Sequence, residues 1–549
     1  MDEVKMPTIT VNRKYLESLL GKKISEEKLK ERISMLGTDL KEVTKEEITV
    51  EIFPNRPDML STEGFARALS SFIGAKTGLR RYHVKHTGEN IIIDKSVTMR
   101  PYTACAIVKN LKLNDEKLRE IIQLQEKLAT THGRNRKKSA YGIYQLKSIH
   151  FPVHYKALDP KTVKFEPLGM NRTIKASDIE ELHPKAREYK HIAEGWKKYP
   201  FFIDAKQEVM SMLPYINSNR TGRVDLETKE LFVESSGTQR ENVERALNIV
   251  CTALADMGGE IYTLDMKYPY GTRRTPNLEP ETKSFNLEKA NKWLGLELKE
   301  KEVKELFERM GYSYERGKVK VPAYRTDILH EVDLYEDLAI AYGYENFKEE
   351  IPNVSTIAEE DTFVIFKRRV QQRLIGLGLL ETNTHHLIGE EFLELVKNPT
   401  KPVKLKNALN KEYTLLRSWM IPSLLEVLKN NLHNEYPQRI FEIGRCFKEG
   451  DTETGVEEFE RLAVIVSGKE ETITTIKQVL DNLCNGLNLT YEIEETEHPT
   501  FITGRVGRIL IHKKKLAYFG EIHPEVLCNL GIEWPTFALE INLTELNNV

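Results

Sequence analysis

Four carboxylates crowd one short stretch of this sequence. Asp333, Glu336 and Asp337 stand at i, i+3 and i+4, which places them on one face of a helix, and Asp327 lies just upstream at a strand end. Like charges at such spacing repel unless a cation sits among them. Hard oxygen donors of this kind suit Mg2+, with waters completing its octahedron. The same residues also read as an acidic helix start facing solvent, which the helix dipole favours. A second group lies at residues 232–238 (FVESSGT), where a strand ends in hydroxyls, a carboxylate and a glycine. Such a tip can orient a water or bind a ribose, or it can be a capped turn before the helix near Asn242. A third, residues 131–138 (THGRNRKK), is dense in positive charge, as are Lys185, Arg187, Lys190, Lys197 and Lys198. These fit a phosphate backbone or a solvated loop. His385 and His386 are adjacent and cannot both face one metal from a regular element. Pro152 stands between His150 and His154, so both pairs read as structural. Phosphate-loop, H-E-x-x-H and G-x-S-x-G motifs are absent from the sequence.

Composition narrows the class. Among 549 residues, Lys+Arg number 81 and Asp+Glu 83, so the net charge is -2 and gives no overall basic footprint. Nucleic acid would have to bind through local patches. The five cysteines are far apart, which excludes a C-x-x-C knuckle and a disulfide framework and predicts a reducing, cytoplasmic setting. No apolar run approaches the roughly 18 residues of a membrane span, so no membrane role is expected.

Periodicity predicts a multidomain α+β chain in four parts. Residues 1–85 form an α/β unit: a strand at 9–11, a helix over 16–36 closed by Gly37, a strand at 48–52, a two-proline turn at 54–58 and a helix starting near Ser61. Residues 86–266 are less regular, with strands at 163–165 and 201–203 and a helix at 242–257. The Pro/Gly-rich residues 267–272 read as a linker into 267–350, where three short helices (287–294, 302–310, 333–342) surround a strand at 318–321 in a winged-helix-like pattern. Residues 351–549 begin with a long helix at 363–377 that puts Val370, Leu374 and Leu377 on one face. Strands at 439–443, 462–466, 507–511 and 537–541 then suggest an antiparallel sheet with helices on one side.

Three segments together resemble phenylalanyl-tRNA synthetase β subunits of the shorter archaeal and eukaryotic type. They are residues 54–61 (PNRPDMLS), residues 321–328 (VPAYRTDI) running on to Tyr342-Gly343-Tyr344, and Leu416-Arg417-Ser418 with residues 441–447 (FEIGRCF). The close spacing of Gly37 and Ile52 leaves no room for the OB-fold of the longer bacterial members, and the chain stops soon after Ile541. The resemblance implies an N-terminal unit, an editing domain, a winged-helix-like domain and an inactive copy of the class II catalytic fold. It implies Mg2+ ligands at Asp327, Asp333, Glu336 and Asp337. It also implies an α subunit in an α2β2 heterotetramer, tRNA(Phe) as substrate, and ATP bound chiefly by the α subunit. The region 360–549 lacks the G-x-G-x-x-R arginine that holds a nucleotide phosphate, which points to a structural role beside the catalytic subunit. Helix 363–377 is expected at the intersubunit surface.

Editing follows from chemistry. Phenylalanine and tyrosine differ by one hydroxyl, and a hydrophobic pocket rejects an added hydroxyl by only about 10²-fold. A second, hydrolytic site must then accept tyrosine and satisfy its phenol. The resemblance assigns that acceptor to Glu234, orientation of ester and water to Ser211, Ser236 and Thr238, and the pocket wall to Phe202. No strong general base is evident, which points to substrate-assisted hydrolysis. The rival expectation is a non-catalytic RNA-binding or assembly scaffold built from the same modules.

Overall fold

In a computed structural model the described residues, 6–548, fall into two compact units, 6–350 and 351–548. Three of the four expected parts lie in the first unit. Among the described residues no helix is long and apolar enough to cross a membrane.

The first unit opens with β1 (Thr8–Asn12), α1 (Arg13–Leu20), α2 (Glu26–Met35), β2 (Asp39–Val43), β3 (Glu47–Glu51) and α3 (Thr62–Phe72). The expected single helix over 16–36 is two helices. Gly21 takes the left-handed conformation (φ +69°) that ends α1, and the Ser25 side chain accepts from the Lys28 N–H to start α2. Ser61 caps α3 in the same way, accepting from the Gly64 N–H.

The centre of the unit is a large sheet. Its strands are β4 (Val84–Ile93), β5 (Tyr102–Lys109), β6 (Ser139–Gln145), β7 (Val153–Leu158), β8 (Tyr199–Ile203), β9 (Val209–Met212), β10 (Ile216–Asn217), β11 (Leu231–Gly237) and β12 (Glu260–Tyr268). They run in the order β10-β9-β8-β7-β4-β12-β5-β11-β6. A tenth strand, β13 (Gly271–Thr275), pairs with β12. Residues 267–272 are therefore no linker: Lys267 and Tyr268 complete β12 and pair with Thr272 and Gly271 across a hairpin. The Pro/Gly content marks the turn and not a domain boundary.

Strand alternation sorts the side chains of β11. Leu231 and Val233 face the amphipathic helices α4 (Asp115–Thr130) and α5 (Arg240–Asp256), in one core shared with β5 and with the N-terminal unit. Phe232 faces the other way, into a second core with Ile91, Tyr144, Tyr155 and Phe202. The sheet curls about this second face. Arg136, just before β6, donates to the carbonyls of Pro214 (3.1 Å) and Tyr215 (2.8 Å), just beyond β9, and so ties the two ends together. Residues 281–342 add a three-stranded sheet (Glu281–Ser284, Lys318–Val321, Ser313–Glu315) and helices α6 (Leu287–Leu294), α7 (Glu300–Arg309) and α8 (Glu331–Tyr342), packed in the first core.

The second unit is a seven-stranded sheet, antiparallel apart from one short parallel pair at its edge. Helices cover both faces, where one was expected. Helices Thr362–Gly376 and Ile473–Gly486 pack on Leu462, Val464 and Val466, while Ile421–Asn430 and Pro524–Leu530 pack on Ala463 and Ile465. The unbroken apolar run at 462–466 is the signature of a strand buried on both sides. Val370 and Leu374 are buried as expected, whereas Leu377 is partly exposed at the helix end.

Two buried carboxyls join three helices of the first unit. Glu63 at the start of α3 accepts from the Tyr15 hydroxyl at 2.8 Å, and Glu120 of α4 accepts from the Thr62 N–H at 2.9 Å. Burial first, and then the neighbouring Glu120 and Asp256, push the Glu63 carboxyl up to about 7, against the Tyr15 hydrogen bond. A carboxyl whose folded-state value exceeds that of the unfolded chain, near 4.3, costs stability progressively as pH rises between the two. Glu63→Gln should therefore leave the melting temperature of this unit unchanged at pH 4 and raise it at pH 8, as followed by thermal unfolding across that range.

Candidate functional site

The inner face of the curled sheet gathers polar groups from distant parts of the sequence. Glu234 pairs in register with Cys105 of β5 and Gly142 of β6, and Ser236 with Thr103 and Ala140, so all six project to the same side. Ser211 lies opposite Phe202 across the β8–β9 pair, and the Phe202 ring stacks on Tyr155 at 4.5 Å. Glu234 is 1% exposed, and Ser211, Ser236, Phe202 and Tyr144 are 0% exposed.

Glu234 Oε1 accepts from the Tyr144 hydroxyl at 3.3 Å. Glu234 Oε2 and the hydroxyls of Ser211 and Ser236 have no hydrogen-bond partner among the described residues. Leaving such groups unmet in a protein interior costs about 1–3 kcal/mol each, so their concentration on one face marks a place where a ligand or water completes the set. Burial pushes the Glu234 carboxyl up to about 8, against the Tyr144 hydroxyl, the Arg100 charge and Ser236. It is mostly protonated at neutral pH and can both accept a phenolic hydrogen and donate its own. Arg100 is itself buried and donates to the carbonyls of Ser236 (2.8 Å) and Arg136 (2.9 Å), which holds the end of β11 against the loop before β6.

Four of the five residues assigned to this site thus share one face. Thr238 does not join them. It lies beyond the end of β11, is exposed, and bonds the Lys138 carbonyl through its own N–H at 2.9 Å. Sequence reading missed Tyr144, Gly142, Arg100 and Cys105. Alternation along β6 places Gly142 and Tyr144 on a common side, but only the pairing register reveals that this side is the one bearing Glu234.

The acidic segment behaves differently. Arg325, fully buried, donates to Asp327 Oδ1 (2.8 Å) and Oδ2 (2.7 Å) and to Asp337 Oδ2 (2.7 Å), so a guanidinium stands between two of the four expected ligands. Its charge holds the Asp327 carboxyl below the usual range despite burial. Tyr312 also bonds Asp337. Asp333 caps α8, accepting from the N–H groups of Leu329 and His330 at 2.7 Å each, and exposed Glu336 accepts from the Tyr344 hydroxyl at 2.7 Å. Among the described residues no group of three or more His, Cys, Asp or Glu side chains is placed to hold a metal. The convergence expected of Asp327, Asp333, Glu336 and Asp337 is thus not realised. The residues as placed do not fit a shared cation, because an arginine and a helix start already satisfy most of their charge.

The basic candidates also divide. Arg136 is engaged in tying the sheet and lies over the Tyr189 ring at 4.3 Å, while Arg134 and Lys137 are exposed. Arg187, Lys190, Lys197 and Lys198 are exposed and Lys185 half-buried, with Lys185 paired to Glu188 and Lys190 to Glu180. His150 pairs with Asp204 at 3.0 Å.

Comparison with known proteins decides the family. Residues 6–75 match the family model described as Phe-tRNA synthetase beta subunit B1 domain, 283–344 the tRNA synthetase B5 domain, and 348–543 the phenylalanyl tRNA synthetase beta chain CLM domain. The chain is 39% identical over 98% of its length to the phenylalanine–tRNA ligase beta subunit of Pyrococcus furiosus, all of which is covered. It is 37% identical to that of Archaeoglobus fulgidus, with 98% of each covered. It belongs to the phenylalanine–tRNA ligase β-subunit family. A solved N-terminal fragment of the phenylalanyl-tRNA synthetase β subunit from Pyrococcus horikoshii superposes with a TM-score of 0.59 at 39% identity, covering 61% of this chain and 99% of the fragment.

In this β-subunit chain the segment 441–447, one of the three that carried the resemblance, is closed on itself. Phe441 is buried, and Glu442 accepts from Arg417 Nη1 at 2.9 Å, both side chains being no more than 2% exposed. Thr384 donates to the other Glu442 oxygen at 2.7 Å and accepts from Arg417 at 2.8 Å. This arrangement commits the Arg417 guanidinium to Glu442, Thr384 and the Arg445 carbonyl.

Removing one partner of a buried ion pair strands the other charge. Arg325→Met should therefore destabilise the first unit by about 3–5 kcal/mol in denaturant unfolding. Exposed Glu336→Gln should change it by less than about 0.5 kcal/mol.

Proposed function

We propose that this chain is the editing and architectural half of a phenylalanine–tRNA ligase. An α partner activates phenylalanine with ATP and Mg2+ and transfers it to tRNA(Phe), and the inner face of the large sheet hydrolyses Tyr-tRNA(Phe). The observation that carries the editing reading is the Glu234 carboxyl, buried with one oxygen unpartnered beside the unmet hydroxyls of Ser211 and Ser236.

In this reading the tyrosyl phenol reaches Glu234, which is mostly protonated and meets a hydroxyl without the cost of burying a full charge. Phe202 and Tyr155 supply the aromatic wall. Ser211 and Ser236 direct hydrogen bonds to the ester and its attacking water. A phenylalanyl group brings no hydroxyl, so entering would leave Glu234 unsatisfied, and that asymmetry spares the correct product. Among the described residues no charged general base stands on this face. A hydroxyl of the tRNA's own terminal ribose is the natural group to take the water's proton. No step runs through a metal at Asp327, Asp333, Glu336 or Asp337. The closed Arg417–Glu442 pair supports a structural, non-catalytic second unit, and the α2β2 heterotetramer is the assembly we assign to it. The exposed cations at 134–137 and 185–198 are the surfaces we assign to tRNA.

The test is deacylation by the complex reconstituted with its α subunit. Glu234→Ala should slow Tyr-tRNA(Phe) hydrolysis by about 10- to 100-fold, the worth of a buried hydroxyl contact, and leave Phe-tRNA(Phe) formation within twofold. Unchanged hydrolysis would reduce the chain to an assembly scaffold.

A further inference from the structure

Residues 180–199 enclose a cleft in which aromatic rings stand among cations. It measures about 490 Å³ and is lined by Trp196 and Tyr199 together with Arg187, Lys190, Glu180 and Glu194. Tyr199 is buried, and its hydroxyl is committed to Glu180 at 3.1 Å. Glu180 also accepts from the Tyr215 hydroxyl at 2.7 Å and lies 3.5 Å from Lys190, so this carboxylate is satisfied within the protein. Trp196 is half-buried. Its one aromatic neighbour among the described residues is Tyr199, met in a T-shaped contact at 5.8 Å, so no ring is stacked on the indole. The loop that carries it is braced. The Ala193 N–H bonds the Lys190 carbonyl at 3.1 Å and the Trp196 N–H the Ala193 carbonyl at 3.0 Å, with Gly195 in the left-handed conformation between them (φ +80°). A ring held in place before binding loses little freedom on binding.

The charges around the cleft are mostly free. Among the described residues Arg187 bonds the Glu181 carbonyl at 2.6 Å and no carboxylate, and exposed Lys197 and Lys198 pair with none either. Exposed Glu194 is the one lining carboxylate left without a cation. The positive surface continues beyond the cleft, since Lys185 and Arg136 lie over the Tyr189 ring at 5.9 and 4.3 Å and lead on to exposed Arg134 and Lys137. Cations alone would suit any polyanion. A duplex keeps its bases stacked inside, and an acidic peptide would leave the indole unused. An open ring among cations suits a base that has left its stack and still carries its phosphates.

We propose that this cleft seats one unstacked nucleotide from a single-stranded stretch of tRNA, with its base on the Trp196 indole and its flanking phosphates on Arg187, Lys197 and Lys198. The proposal rests on the assignment of residues 185–198 to tRNA and adds the contact that tells an unpaired strand from a duplex. Stacking accepts any base, so the cleft holds the strand in place without reading its sequence.

Binding of tRNA(Phe) to the complex reconstituted with its α subunit, measured across a salt series, separates the two contacts. Trp196→Ala should weaken it by about 5- to 100-fold, the worth of one stacked base, and leave the slope of log affinity against log salt unchanged. Trp196→Phe, which keeps a ring, should recover most of that loss. Lys197→Gln together with Lys198→Gln should flatten the slope by about 1.4, as two phosphate contacts on a single strand require. A blunt RNA duplex, which offers no unpaired base, should bind the parent and Trp196→Ala equally. If the double lysine variant keeps both affinity and slope, the assignment of this surface to tRNA fails and the proposal falls with it. If it loses slope while Trp196→Ala stays within twofold of the parent, the stacking cleft alone fails. Equal losses in Trp196→Ala and Trp196→Phe, or the same loss on the blunt duplex, would make Trp196 structural and overturn the proposal. Separation of the α and β subunits by Trp196→Ala in sedimentation would make the cleft a protein-docking face and overturn it as well. None of these measurements involves Glu234, so the editing reading stands or falls separately.

Discussion

A carboxyl buried in an apolar sheet face must be neutralised, paired or used. Elsewhere this chain pairs several of them, though Glu63 and Glu120 have no cation among the described residues. Arg56 holds Asp58, Arg325 holds Asp327 and Asp337, Arg417 holds Glu442, and Arg461 holds Glu540. Glu234 has instead a long hydrogen bond from a tyrosine and a free second oxygen. Burial keeps it mostly protonated, and no basic side chain bonds it among the described residues. The other features of the inner face serve that one group: Gly142 gives it room, Arg100 fixes the strand end beside it, and Arg136 closes the sheet around it.

The acidic segment at 327–337 illustrates the opposite solution. Arg325 lies two residues from Asp327 and, through the fold, equally close to Asp337. The expected repulsion among the carboxylates is relieved from within the chain, by a guanidinium and by the N–H groups at the start of α8. An acidic cluster in a sequence thus has several physical resolutions, and a cation is one of them. The neighbouring residues decide among them, and here Arg325 was in view in the sequence but read as part of a motif and not as a counter-charge.

The two units use burial in different ways. In the first, one face of the sheet packs on α4 and α5 and gives rigidity, while the opposite face encloses the polar cluster. In the second, both faces are covered by helices, and Arg417 and Glu442 close on each other in the interior. A sheet with both faces consumed by packing is suited to supporting other surfaces, and a sheet that curls around polar groups is suited to enclosing a ligand.

Much of this was legible in the sequence, because local physics determined it. The alternation at 48–52, the strand end at 232–237, the apolar run at 462–466, the Ser61 cap and the glycine helix ends are set by residues within a few positions of one another. Motif order across the chain was enough to indicate the family, since it depends on residue identity and spacing alone. Four things required the tertiary structure. The break at Gly21 turned on one left-handed residue inside an otherwise helical pattern, and residues 267–272 proved a hairpin because β12 had a partner to fold back on. Tyr144 and Gly142 reached Glu234 through a pairing register spanning some ninety residues. Thr238 fell outside the site because the strand ended one residue too soon. Periodicity assigns a side chain to a face. Which faces meet is fixed by long-range pairing and by how the sheet closes, and neither is written in any local stretch of sequence.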